Sequence, residues 1–111
     1  MQERKLKLTW EAIYDVADIA DYIEDEFGEA RADKFQDDIR IEFEKIARTG
    51  ITFGNTYIMY RGYSILKKPM PPSIIFYIVK EDEVHVLRVL REERDWQKIL
   101  SQNKGYTYPE N

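Results

Sequence analysis

Ile74-Ile75-Phe76-Tyr77-Ile78-Val79 and Val84-His85-Val86-Leu87-Arg88-Val89-Leu90-Arg91, parted by Lys80-Glu81-Asp82-Glu83, decide the architecture. Two runs of β-branched and aromatic residues around a four-residue charged break predict an antiparallel hairpin with a type I or longer turn. Both runs are too apolar for an edge strand. They belong at the centre of a small sheet with one face covered and the other at least partly covered. Downstream, the charged segment Arg91 to Asp95 leads into Trp96-Gln97-Lys98-Ile99-Leu100, which suits a short helix holding the sheet.

Upstream of the hairpin, Lys68-Pro69-Met70-Pro71-Pro72 reads as an exposed loop, because prolines remove the donors a ladder needs. Tyr57 to Arg61 and Tyr63 to Lys67 read as strand pieces interrupted at Gly62, with a loop over residues 51 to 57. Earlier still, Ile13, Val16, Ala20, Ile23 and Phe27 recur at spacings of three and four behind an N-cap at Thr9, and Gly28 ends that helix. A second helix over residues 29 to 48 carries Ala32, Phe35, Ile39, Phe43 and Ile46 on one face, so the pair forms an antiparallel helical hairpin against the sheet. Arg4-Lys5-Leu6-Lys7-Leu8 alternates and suits a short edge strand. Residues 101 to 111 lack an apolar period and are expected to form a loosely ordered tail, with Tyr106 and Tyr108 as its possible docking points.

At 111 residues this is one domain over its whole length, of α+β class. The chain has no cysteine, no run of the roughly 18 apolar residues a membrane span needs and no signal-peptide h-region; a cytoplasmic location is expected. A net charge of −4 argues against a protein whose main task is gripping nucleic-acid phosphates. The charge is uneven, however. Residues 11 to 29 hold eight acids and no base, whereas Arg61, Lys67 and Lys68 lie in a segment without acids.

His85, the single histidine, has no serine at a spacing that suggests a nucleophilic triad. The aspartates at 15, 18, 21 and 25 share a helix but lack a His or further ligand, so a solvated acidic face accounts for them and no metal is expected. The glycines form no phosphate-binding loop, and no cofactor is implied. Arg88 stands out as a cation inside an apolar strand. It must either pair with a carboxylate, for instance Asp95 or a helix acid, or reach an open face shared with Arg61, Lys67, Lys68, Arg91 and Arg94.

Phe76-Tyr77, Leu87-Arg88-Val89-Leu90 and Arg94-Asp95, in this order, resemble the C-terminal half of the RelE/ParE toxin superfamily, and the order of elements agrees over about residues 4 to 100. The resemblance implies an N-terminal strand and an antiparallel helical hairpin packed on a small antiparallel β-sheet, with a short C-terminal helix. It also implies a growth-inhibiting bacterial toxin of a type II toxin-antitoxin (plasmid stabilisation) pair, with a small antitoxin as partner. RelE-like members cleave mRNA on the ribosome and place an arginine at the start of the aromatic strand, a second after the last strand, and a tyrosine or histidine near the C-terminal helix. Here those positions hold Ser73, Glu92 and Trp96-Gln97-Lys98-Ile99. These departures favour the ParE-like branch, whose members are regarded as poisons of DNA gyrase. Within it Arg91, Arg94 and Trp96 are the expected target anchors and no catalytic residue is assigned. A binding protein that keeps the fold without toxicity is the remaining alternative.

Overall fold

The computed structural model describes residues 3–50 and 53–109. Along the chain the elements are β1 (Lys5–Leu8), α1 (Trp10–Phe27), α2 (Glu29–Thr49), β2 (Gly54–Tyr60), β3 (Tyr63–Met70), β4 (Ser73–Val79), β5 (Glu83–Arg91) and α3 (Trp96–Gln102). They build one five-stranded sheet in the order β1-β5-β4-β3-β2. The predicted hairpin is β4–β5, at the centre. The sheet is mixed rather than wholly antiparallel, since β1 runs parallel to β5 over Lys5↔Glu83 to Leu8↔Val86. The two helices between β1 and the rest of the sheet make that crossover possible.

Two cores flank the sheet. On one side Ile39, Phe43 and Ile46 of α2 and Ala12 and Ile19 of α1 pack on Ile75, Tyr77, Val84, Val86 and Val89. On the other, Leu100 and Tyr106 cover Phe76, Ile78, Leu87 and Leu90. Strict alternation along β5 cannot put both Val86 and Val89 under the helices. A bulge resolves this: Phe76 faces Arg88 and Tyr77 faces Val86, leaving Leu87 as the extra residue.

Several local expectations change. β3 runs on through Pro69 to Met70, where a loop was expected. Its pairing with β2 ends at Lys67, so the missing Pro69 donor falls on an open edge of the ladder. Gly54 and Asn55, also expected in a loop, pair with Lys67 and Leu66; Ile51 and Thr52 of that loop lie outside the described residues. The break at Gly62 is a two-residue turn with positive φ at both Arg61 (50°) and Gly62 (87°), the type I′ signature that fits the twist of a hairpin. Phe27, assigned to the buried stripe of α1, is exposed.

Thr9 caps α1 as expected, its Oγ1 accepting the Ala12 N–H at 2.9 Å while donating to the Leu87 carbonyl at 2.7 Å. The segment after α3, expected to be loose apart from two tyrosines, is stitched down. Trp10 N–H donates to the Thr107 carbonyl, Thr107 donates twice to the Glu11 carboxylate, and Tyr106 packs edge-on against Tyr60. Glu110 and Asn111 lie outside the described residues.

Candidate functional site

β1 covers only the first half of the free side of β5, so the backbone from Leu87 onward needs other partners. α1 supplies them. Asp15 Oδ2 accepts the Val89 N–H at 3.0 Å, and the same carboxylate takes Arg88 in a two-pronged ion pair, Nε at 2.7 Å and Nη2 at 2.9 Å. Both side chains are largely buried. The Asp15 hydrogen bonds raise the Arg88 pKa further against the opposing effect of burial. Of the two readings of Arg88, pairing with a helix acid is the one realised. Asp15 is correspondingly the exception on a helix face that the sequence suggested was solvated.

Three residues on, β5 ends differently. The Arg91 guanidinium lies over the Tyr22 ring at 4.0 Å, and its Nε is 2.7 Å from Glu93 Oε1. That contact is an ion pair without hydrogen-bond alignment. Arg94, exposed in the following turn, joins Arg91 in a notch bordered by Asp18 and Tyr22. On its other flank Arg91 closes a groove of about 260 Å³ between the tip of the helical hairpin and the β3–β4 turn.

The remaining cations do not share this surface. Lys67 projects to the opposite face, with Nζ 4.8 Å from the centre of the Trp96 ring, and Trp96 itself packs on Phe76. Lys68 sits over Phe53 on the α2 side. Arg61 occupies the β2–β3 turn over Tyr60. The seven residues suggested by sequence therefore fall into separate places: Arg91 and Arg94 share one surface, Lys67 and Trp96 meet on the opposite face, and Arg61, Lys68 and Arg88 stand apart.

The family model described as the ParE toxin of the type II toxin-antitoxin system parDE matches residues 6–96. The chain belongs to the ParE toxin family. Among solved structures, a chain of the chromosomal ParDE toxin-antitoxin system from P. aeruginosa is similar in fold, with a TM-score of 0.66 at 24% identity, over 82% of this chain and 98% of that one. No curated protein matches.

As a ParE-family toxin the chain holds one further polar cluster, on the face away from the helical hairpin. Tyr108 Oη and Glu83 Oε1 flank His85 at 2.7 Å from Nδ1 and 2.8 Å from Nε2. The carboxylate can only accept, so Nε2 donates to it, and the Tyr108 hydroxyl can pair with Nδ1 in either role, which satisfies both ring nitrogens of a histidine that is only 7% exposed. Burial pushes the Tyr108 pKa up to about 12, the wrong direction for a base or nucleophile at neutral pH. Ser73, where a RelE-like chain carries arginine, is fully buried; Glu92 is an exposed turn residue. Among the described residues no group of three or more His, Cys, Asp or Glu is placed to hold a metal ion. Among the described residues no helix is long and apolar enough to cross a membrane.

Sequence reasoning missed Asp15 and Tyr22. Asp15 carried a signal, because it continues the Ala12–Ile19 line at helical spacing and so points at the sheet. Tyr22 carried none, since its value comes from lying beside Arg91.

Proposed function

We propose that the chain is the toxin of a two-component pair, held inactive by a small antitoxin, and that it acts on a protein target such as DNA gyrase while leaving mRNA intact. Family membership supports the toxin role, and the observation that carries the choice of target class is the Arg91–Arg94–Tyr22 surface. It offers two cations and an aromatic ring, the composition of a protein-binding hot spot, with Glu93 and Asp18 as its neighbouring carboxylates. Cleavage at a ribose 2′-hydroxyl needs proton transfers worth about 10²–10⁴-fold each. The proton-bearing pair His85–Tyr108 lies across the sheet from Arg91, so these groups do not converge on one phosphate. Trp96 is engaged with Phe76 and Lys67, which leaves Arg91 and Arg94 as the leading target anchors.

Inducing the chain in cells and following mRNA integrity beside DNA breaks and supercoiling tests the target. DNA damage with intact mRNA is the expected outcome. Rapid codon-linked mRNA cleavage that disappears in Arg94→Ala would restore the nuclease reading. Co-expression with the protein of the neighbouring small reading frame tests the pair: rescue of growth and co-purification are expected, and growth unaffected by the chain alone would favour a non-toxic binding protein.

A further inference from the structure

The groove beside Arg91 has apolar walls, including Ile19, Ile23, Phe35 and Met70, and the exposed Tyr22 and Phe27 rings stand at its mouth. Its charge runs against that of the molecule. In a chain of net charge −4 its lining holds Arg31, Lys34 and Arg91 against one acid, Asp38, and Lys34 already pairs with that acid at 2.7 Å. Arg31 rests over the Phe27 ring. Arg91 stacks on Tyr22 and meets Glu93, an exposed acid two residues away, in a misaligned contact, so among the described residues the donors of its planar fork are incompletely used.

A second observation lies beneath it. Ser73 is the cross-strand partner of Arg91, so both side chains stand on the helix face of the sheet, about 5 Å apart at Cβ. The Ser73 side chain is fully buried, and its Oγ has no hydrogen-bond partner among the described residues. A buried hydroxyl without a partner is uncommon. Here it adjoins, across the β4–β5 pair, an under-used guanidinium that lines an apolar groove.

We infer that this groove takes an acidic amphipathic segment of the antitoxin, and that one side-chain carboxylate of the segment replaces Glu93 on Arg91 and accepts a hydrogen bond from the Ser73 hydroxyl. The apolar side chains of the segment fill the groove while its acids meet Arg31 and Arg91, so recognition combines buried area with charge. The inference rests on the antitoxin reading above and adds the chemistry of the contact. It also accounts for neutralisation, because a segment seated on Arg91 denies that anchor to a target.

The test measures dissociation constants between the purified chain and the protein of the neighbouring small reading frame. Arg91→Ala is expected to weaken the complex by about 10- to 100-fold and to flatten its salt dependence, as loss of a charge-assisted hydrogen-bonded pair should. Arg91→Lys should fall between, keeping charge without the fork. Ser73→Ala should weaken binding a few-fold at unchanged thermal stability, and Lys104→Ala on the tail should have no effect. Arg91→Glu should be rescued by an acid-to-lysine change in the partner. A complex that forms equally well with Arg91→Ala overturns the inference and leaves the toxin-antitoxin pair standing. Absence of any complex with the unaltered chain overturns both. Weakening on amidation of the partner's C-terminus would assign the carboxylate to its chain end and overturn the side-chain assignment.

Discussion

Arg88 and Arg91 sit three residues apart on the same strand, yet one is locked and the other is available. Arg88 lies where β5 has lost β1 and α1 takes over its edge, so a single aspartate holds both the backbone and the guanidinium. Arg91 lies further along α1, where the groove begins, and it rests on the Tyr22 ring of that helix beside a surface acid. The two regions show that a cation's role follows from what covers its strand edge, which its neighbours in sequence do not reveal.

The largest effect should come from breaking the locked side. Replacing Asp15 or Arg88 by alanine leaves a buried charge unpaired and should cost about 3–5 kcal/mol in chemical denaturation, whereas the paired change Asp15→Leu with Arg88→Met should cost much less. Equal stability of Arg88→Ala and the parent would show that the lock is absent. It follows that loss of toxicity in Arg88→Ala reports folding, and must be read beside a denaturation curve.

High pH should weaken the same side through the tail. Burial pushes Tyr106 up to about 12, as it does Tyr108, from an ordinary value near 10. Below pH 10 both phenols keep their protons in folded and unfolded chains, and the stability linked to them is fully present. Between pH 10 and 12 only the unfolded chain sheds protons readily, so stability falls by at most ~1.4 kcal/mol per pH unit for each phenol. Denaturation midpoints taken across this range, with tyrosinate absorbance as the monitor, should show the decline. Ordinary titration of all eight tyrosines would contradict it.

Thr9→Ala is next in size. It removes both the α1 cap and the donor to Leu87, at a cost of about 1–2 kcal/mol. Arg91→Ala should change stability by less than ~1 kcal/mol, because its partner Glu93 is solvent-exposed. A large loss there would erase the contrast between the two arginines. Smallest of all, Tyr106→Phe should be neutral within ~0.5 kcal/mol, since the buried Tyr106 hydroxyl has no hydrogen-bond partner among the described residues. A cost above that would mean that the hydroxyl makes a bond, for instance through water.

The sequence by itself determined the elements and the family. Periods of two and 3.6, the Thr9 cap, the Gly28 break and the apolar β4–β5 hairpin are local, and each is stabilised by residues adjacent in the chain or one turn away. It placed Arg88 between two open readings and went no further. Tertiary structure decided between them, because Asp15 is 73 residues away and reaches Arg88 only after α1 crosses the edge of β5. The continuation of β3 through Pro69 depended likewise on where β2 stops, the docking of the tail on Glu11 and Tyr60, and the Arg91 groove on four separate segments meeting. Ion pairs and grooves depend on distance in space, and local propensity carries no record of which edge another segment will cover.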